Sequence, residues 1–177
     1  MKKLTYISFI LIAAFANAQV SIGGKQSVEG TTTILDFNNV ADNTKGIILP
    51  AIQNRSTALA TNASQNNGTF FFEKDTNKVM MYEGEKWVEL NSKEGSQNGL
   101  IINDSTELTE NHGAIIGAET SAAKGVLILE SADKAMILPK IANPHDTVKN
   151  PYPGMICYDT ASDTLAVFDG LVWNYWK

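Results

Sequence analysis

Short apolar runs separated by polar turn residues are the strongest pattern along the chain. Runs rich in Val, Ile, Phe, Tyr and Trp that are bounded by turn residues are typical of β-strands joined by hairpins. Glu83-Gly84 and Asp169-Gly170 mark tight turns, where glycine accepts the positive φ that such turns demand. The pattern therefore predicts a three-stranded β-meander in each half of the chain, with strands at 69–73, 79–82, 86–90, 155–158, 165–168 and 172–176.

Alternation between apolar and polar positions is weak within these predicted strands. The runs "VMMY" at 79–82 and "LAVF" at 165–168 are apolar on both faces. A meander with one face in water would alternate apolar and polar residues. We therefore expect cover on both faces, from a second sheet of the same unit or from an identical chain.

Four further segments are predicted to be strands: 31–37, 125–131, 46–52 and 135–141. A proline interrupts each of the last two. Because proline has no N–H for a ladder, Pro50 and Pro139 are expected at a sheet edge, a strand end or a bend. A loop or a helical turn is expected after Pro50. The segment 142–154 contains three prolines and is predicted not to form a helix.

The two halves of the chain carry the same pattern of glycine, aromatic, acidic and apolar positions. Three pairs of segments align without gaps: Gly68–Trp87 with Gly154–Trp173, Ile22–Phe37 with Ile116–Ser131, and Lys45–Pro50 with Lys134–Pro139. Matches that keep their order while only loop lengths change indicate duplication. The sequence thus predicts an all-β protein with two tandem copies of a small meander or sandwich-like repeat and little helix. Its parts are unit 1 at 19–91, a linker and lead-in strand at 92–113, and unit 2 at 114–177.

The first 18 residues have the three-part pattern of a cleavable secretory signal. Lys2 and Lys3 precede an apolar run, and the small residues Ala16 and Ala18 flank the expected cleavage region. That run is shorter than the roughly 20 residues that a membrane-spanning helix needs. We therefore expect export to the periplasm, the cell surface or the medium, with Gln19 as the new N-terminus and no membrane span.

Charge and cysteine content narrow the classes of partner. Removing Lys2 and Lys3 from the 14 basic residues leaves 12 against 19 acidic residues, a formal net charge of −7. Phosphate binding relies on clustered Lys and Arg, so nucleic acid is not expected as a partner. Cys157, the single cysteine, lies in the apolar run "MICY" and is predicted to be a buried structural thiol, with an intermolecular disulfide as the alternative.

No motif in the sequence indicates catalysis. It contains no P-loop, dinucleotide fingerprint, paired-cysteine zinc motif or nucleophile elbow. His112 and His145 lie in polar contexts and are predicted to be solvated loop residues. The acidic runs at 75–77 and 159–163 lack the glycine and distal glutamate of a calcium loop, and turn chemistry explains them. We therefore predict no enzyme activity, no cofactor and no metal.

Aromatic residues are the candidates for a contact with a ligand or partner. Trp87 and Trp173 occur at the same place in both halves and are interpreted as structural, as are Gly84, Gly170, Pro50 and Pro139. Trp176 has Leu90 as its counterpart, so Trp176 and its neighbour Tyr175 are the candidates for a unit-specific contact. Such rings stack on sugars, or fill a core or a seam between chains, and both alternatives remain open.

Each unit closes with the same motif of an aromatic residue, an acid, an acid-glycine pair and a tryptophan. It is carried in unit 2 by Tyr158, Asp159, Thr160, Asp169, Gly170 and Trp173, and in unit 1 by Phe72, Glu73, Lys74, Glu83, Gly84 and Trp87. The order of these motifs resembles a short β-rich repeat of bacteriophage tail-fibre-like proteins and of secreted surface proteins of Gram-negative bacteria. The resemblance covers 19–91 and 114–177, although Ala51 and Lys140 stand where the family often has arginine. It implies a stalk or knob element, frequently trimeric, that serves adhesion or surface structure and implies no reaction. The alternative function is a secreted carbohydrate-binding module.

Four hydroxyl residues follow an aspartate in short triplets, at Ser105, Thr147, Thr160 and Thr164. These triplets are similar to the acceptor pattern of a periplasmic O-glycosylation system of gliding and gut-dwelling Gram-negative bacteria. Asp-Thr pairs are also common in turns. O-glycosylation at these residues is therefore a hypothesis, and self-association, other surface proteins and glycans are the partners that the sequence suggests.

Overall fold

The computed structural model describes residues 19–57, 63–101, 113–123 and 125–177, and these residues are mostly β-strands. Helical structure in them is limited to the four-residue helix α1 at Pro144–Thr147 and to the 3₁₀ turns η1 at Arg55–Thr57 and η2 at Ala63–Asn66. The predicted all-β class is confirmed. No helix in the described ranges is long and apolar enough to cross a membrane. The predicted signal at 1–18 lies outside them, as do Ser105 and His112.

Fourteen strands form four sheets in the described residues. The strands of the first half are β1 (Val20–Ile22), β2 (Thr33–Phe37), β3 (Ile47–Ile48), β4 (Ala51–Ile52), β5 (Phe70–Glu73), β6 (Lys78–Glu83) and β7 (Lys86–Glu89). Those of the second half are β8 (Ala114–Ile116), β9 (Leu127–Leu129), β10 (Ala135–Met136), β11 (Lys140–Ile141), β12 (Met155–Asp159), β13 (Thr164–Phe168) and β14 (Trp173–Trp176).

Each half contains a predicted meander, and every meander strand ends within one residue of its predicted bounds. In the first, β5, β6 and β7 are antiparallel neighbours, and β4 lies parallel to β5. In the second, β12, β13 and β14 are antiparallel neighbours, and β11 lies parallel to β12. Pro50 lies between β3 and β4, and Pro139 between β10 and β11, so the prediction that each lies at a sheet edge, a strand end or a bend is confirmed.

Two short strands cross between the halves. β3 pairs antiparallel with β12, with Ile48 opposite Met155 and Ile47 opposite Ile156. β10 pairs parallel with β2, which β1 flanks on its other side. β8 and β9 form a separate two-stranded parallel sheet. Each half therefore completes a sheet of the other half.

The main core is built from both halves. Its buried members are Leu49, Phe72, Val79, Leu90, Ile156 and Val167. A smaller cluster within the second half contains Ile141, Val148, Cys157 and Ala166. Consecutive residues are buried in β6 and in β13, so both faces of these strands are covered, as their weak alternation predicts. Much of the main core's cover comes from the other half of the same chain.

Helix α1 corrects the prediction that the proline-containing segment 142–154 forms no helix. Proline is tolerated at the first helical position, where its missing N–H would have no partner in the helix. Pro144 occupies this region, and the carbonyl of Asn143 accepts hydrogen bonds from the Asp146 and Thr147 amides at 2.9 and 3.0 Å. The other two prolines lie beyond the helix and do not interrupt it.

The linker that follows the first meander is bound to both meanders, although its composition predicts a flexible connector. The Gly95 amide donates to the Asn77 carbonyl at 3.0 Å, and the Ser96 amide donates to the Asp169 carbonyl at 2.8 Å. The expected lead-in strand is absent at Leu100 and Ile101, and the rest of it lies outside the described residues. These backbone bonds hold Gly95 to the turn between β5 and β6, and Ser96 to the turn before β14.

Candidate functional site

The exposed aromatic residues predicted as candidate contacts lie on the last strand, β14. Tyr175 is 40% exposed and Trp176 is 39% exposed. The Tyr175 hydroxyl lies 2.8 Å from Nδ1 of His145, and the two rings meet edge to face at 6.2 Å. Nε1 of Trp176 donates to the Leu90 carbonyl at 3.1 Å. Both side chains are therefore held by a polar bond while part of each ring surface stays free.

His145 joins this group although the sequence gives no sign of it. It lies in helix α1 rather than in a loop, and its side chain is about half exposed. Its partner Tyr175 is 30 positions further along the chain, so sequence spacing carries no signal for the contact. Burial and then the charge of Asp159 raise the pKa of Tyr175, so the phenol stays neutral at physiological pH.

The two tryptophans that the halves share pack on neighbouring rings. Trp87 meets Phe71 and Tyr82 edge to face, with ring centroids 4.7 and 4.8 Å apart. Trp173 lies tilted on Phe168 at 5.5 Å. Aromatic pairs at these separations are stabilising beyond the area that they bury. Both tryptophans are half-buried and stabilise the end of a meander.

The two turn glycines differ in their surroundings. Gly84 has φ of 52° and nothing near the position that a Cβ would take. Gly170 has φ of 93°, and a Cβ there would lie 1.8 Å from the Ser96 carbonyl oxygen. The linker therefore approaches the second turn so closely that only glycine fits.

Gly170→Ala is expected to lower the free energy of unfolding by about 2 kcal/mol, because the new methyl group meets the Ser96 backbone and φ is unfavourable. Gly84→Ala is the matched control, with an expected loss of at most about 1 kcal/mol from φ alone. Equilibrium unfolding in urea compares the two variants. Equal losses would contradict the close approach of the linker.

A buried carboxylate ends the first strand of each meander. Glu73, at the end of β5, is 1% exposed. It accepts hydrogen bonds from the Arg55 amide at 2.7 Å, from the Arg55 guanidinium at 2.6 Å and from the Thr76 hydroxyl at 2.5 Å. Burial alone would raise the pKa of Glu73, but these bonds and the Arg55 charge lower it to about 2. Arg55, the single arginine of the sequence, thus fixes the segment after β4 to the sheet.

Asp159, at the end of β12, has the corresponding place in the second meander and is 1% exposed. Its oxygens accept hydrogen bonds from the amides of Asn143 and Ala161 at 2.9 and 3.0 Å and from the Ser162 hydroxyl at 2.6 Å. Burial opposes ionisation, but these bonds lower the pKa of Asp159 below its usual value. Both carboxylates are therefore occupied in closing turns. Sequence spacing gives no signal for the Arg55 contact, whereas the composition of 159–163 does predict its turn chemistry.

The remaining candidate groups are also engaged in structural contacts. Cys157 is fully buried, as its apolar neighbours predict, and burial followed by the Asp159 charge raises its pKa to about 12. A shallow open concavity beside β1 is lined by Gln19, Ser21 and Lys25, and Nζ of Lys25 lies 2.6 Å from the Asp36 carboxylate. Among the described residues no cluster of three or more His, Cys, Asp and Glu side chains is arranged to hold a metal ion.

Three of the four predicted O-glycosylation residues can be placed. Thr147 is exposed, and its hydroxyl donates to the Ala142 or Asn143 carbonyl at 3.0 Å. Thr160 is exposed in the turn after β12. Thr164 is 7% exposed and its hydroxyl lies 2.8 Å from that of Ser162, so in the folded chain it is covered.

Comparison with known proteins gives one partial likeness. The chain is 32% identical over 126 residues to the GTPase Obg of Pelagibacter ubique (strain HTCC1062). The matched region is 59% of this chain and 38% of that protein, so the chain spans well under half of the length of this curated relative. No family model matches the chain, and no solved structure matches it.

Proposed function

We propose that this protein is an exported structural or adhesive element of the cell surface, a stalk-like or knob-like part of a fibre or larger assembly, with no catalytic role. The observation that carries the proposal is that β3 of the first half pairs with β12 of the second half, and β10 of the second half pairs with β2 of the first half. These pairings join the two halves into one β-structure. Its titratable groups add support, because Glu73, Asp159 and Lys25 are all used in holding turns and strands.

A duplicated unit is part of this proposal. The two meanders share strand order, and their registers agree when the two halves are aligned. Ile52 lies opposite Glu73, and their aligned counterparts Ile141 and Asp159 lie opposite each other. The pairs β1–β2 and β8–β9 are both parallel, but Val20 lies opposite Leu35 whereas Ala114 lies opposite Leu127. The register of the second pair therefore differs by two residues from the gapless alignment.

The likeness to a GTPase does not extend the proposal to nucleotide hydrolysis. The chain has no G-x-x-x-x-G-K-[ST] sequence, whose backbone amides and lysine would hold nucleotide phosphates. Its only arginine is paired with a buried carboxylate. A likeness over 38% of the relative therefore supports no transfer of that protein's activity.

Protease treatment of intact cells tests surface display. We expect external protease to degrade this protein in intact source cells, while a periplasmic marker protein stays whole. Survival of the protein until the outer membrane is opened would place it in the periplasm and contradict display at the surface.

The exposed rings of Tyr175 and Trp176 support a second candidate function, binding of a glycan. An aromatic face that is held in place and partly free can stack on a sugar ring. A glycan array with the exported protein, followed by Trp176→Ala, tests this function, and Leu171→Ala is the control because Leu171 is an exposed apolar residue of the preceding turn. Binding that Trp176→Ala abolishes and Leu171→Ala leaves intact would establish the glycan role; absence of binding would dismiss it.

A further inference from the structure

β3 and β9 are two of the short strands that leave one edge unpaired in the described part of the chain. β3 pairs only with β12, and β9 pairs only with β8. An unpaired strand edge presents backbone N–H and C=O groups that can pair with another chain. Each of these two edges is therefore open to pairing with a further strand.

The equivalent strands of the other half show what such a pairing looks like. β10, the sequence counterpart of β3, pairs in parallel with β2, the counterpart of β9. The Ile137 amide donates to the Leu35 carbonyl at 2.9 Å across this pair. Under the sequence alignment Ile48 is the counterpart of Ile137. The chain thus contains a β10–β2 contact whose counterpart, β3 on β9, is not formed within the described residues.

Backbone direction agrees with this correspondence. The Leu49 amide donates to Gly154 on the β12 side, so the groups of Ile48 point to the opposite, unpaired edge of β3. In β9 the Glu130 amide donates to Ile116 of β8, so the groups of Leu127 and Leu129 point away from β8. The backbone N–H and C=O groups on the unpaired edges of β3 and β9 therefore point in the directions that the β10–β2 contact requires.

Large apolar side chains are exposed on the same two strands, β3 and β9. Four consecutive residues of β2, Thr33 to Asp36, are buried between β1 and β10. In β9, which has a neighbour on one side only, Leu127 is 47% exposed, and the preceding Val126 is 69% exposed. Ile48 of β3 is 51% exposed. Large apolar side chains are thus left in water at the places where the missing strand would lie.

We infer that β3 of a second copy of this chain adds in parallel to the free edge of β9, so that chains associate head to tail. The occupant is a second copy because the same contact already joins the two halves within one chain. The interface joins two different surfaces, the edge of β3 on one half and the edge of β9 on the other, so it is heterologous. It forms a closed ring or an open filament, depending on the rotation that relates neighbouring chains. Head-to-tail association deepens the proposed structural role, and its biological meaning rests on that role.

A second contact of the same kind would place β10 beside the start of β5 in the next chain, as β3 lies beside the start of β12. A Cβ at Gly46 would lie 2.6 Å from the Ile156 carbonyl oxygen, and Ala135 is the counterpart of Gly46. The β10 contact would therefore need a wider spacing than the β3 contact. Head-to-tail association through β3 and β9 does not require this second contact.

Charged substitutions at the two edges test the inference in the exported protein. Light scattering across a concentration series should give the wild type a mass of two or more chains. Leu127→Lys and Ile48→Lys should each weaken association at least about tenfold, because a lysine would be buried in the new pairing. Leu171→Lys is the matched control: its side chain is 61% exposed in the β13–β14 turn, and it should leave the mass unchanged.

Mixing the two edge variants distinguishes a heterologous interface from a symmetric one. The Ile48→Lys chain keeps an intact β9 edge and the Leu127→Lys chain keeps an intact β3 edge, so an equimolar mixture should form a dimer of one chain of each kind and grow no further. Two monomers that stay monomeric on mixing would overturn the inference. So would a monomeric wild type, or an oligomer that both variants leave intact.

Two controls separate failure of this inference from other failures. Circular dichroism checks that each variant is folded, and Val126→Lys replaces Leu127→Lys if the latter unfolds, since Val126 is the more exposed residue. A monomeric protein that external protease still degrades on intact cells would overturn head-to-tail association and leave the proposed surface role standing.

Discussion

Phe72→Ala is expected to lower the free energy of unfolding by about 3–5 kcal/mol, the usual range for removing a large buried aromatic side chain. Phe72 is fully buried in the core that both halves build, opposite Val79 of its own sheet and in the same cluster as Val167 of the other sheet. A Cβ at Gly154 would come within 3.2 Å of the Phe72 Cβ, so the site is tightly packed. Its loss therefore leaves a cavity between the halves.

Phe70→Ala is the control for this prediction. Phe70 belongs to the same strand but is only partly buried against the core, so its truncation should cost less than half as much. Equilibrium unfolding in guanidinium chloride, with a single transition for the whole chain, is the measurement. A loss below about 1 kcal/mol at Phe72, or separate transitions for the two halves, would contradict a shared core.

Glu73→Gln is expected to remove about 3 kcal/mol of stability at neutral pH. The pKa of Glu73 falls from 4.5 to about 2 on folding, and a pKa difference of one between the folded and unfolded states corresponds to about 1.4 kcal/mol. Because the folded pKa is the lower one, this contribution is fully present above pH 4.5 and is lost as the pH falls through 2. The wild-type free energy of unfolding should therefore decline across this window, and the variant should lack that part of the decline.

Glu89→Gln is the matched control for the charge. The Glu89 carboxylate lies 3.2 Å from Nζ of Lys78 but is 48% exposed, and exposed pairs contribute little to stability. We expect a change below about 1 kcal/mol and a wild-type pH dependence. Urea unfolding at pH 7 and at steps down to pH 2 compares the proteins. A Glu73→Gln variant with the full wild-type decline would contradict the assigned role of the carboxylate.

The meanders can be predicted from sequence because their information is local. Apolar runs set the strands, and Gly84 and Gly170 set the turns, so the predicted strand ends agree with the observed ones within one residue. The exchange of β3 and β10 cannot be predicted in this way. Each is a two-residue strand, and nothing in so short a run specifies whether its partner lies in the same half or in the other half.

Contacts between distant residues also escape prediction at the candidate site. Trp176 and Tyr175 are predicted to make a unit-specific contact, and both are exposed. The bond of Trp176 to Leu90 depends on how the halves pack, and the bond of Tyr175 to His145 depends on how α1 lies beside β14. The Arg55–Glu73 pair spans 18 positions through a segment of no regular pattern. The prediction of no helix at 142–154 is wrong because it weighs three prolines together, whereas α1 contains one of them at its first position.

Hydrogen exchange at β9 is the measurement that tests the account of head-to-tail assembly most directly. The amides of Leu127 and Leu129 point to the free edge, whereas the Glu130 amide is bonded to Ile116 within the chain. If β3 of a second chain adds to this edge as β10 adds to β2, the Leu129 amide, whose counterpart is that of Leu35, should exchange slowly at high protein concentration and rapidly on dilution, while the Glu130 amide is protected in both conditions. Rapid exchange of the Leu129 amide at every concentration would contradict head-to-tail association.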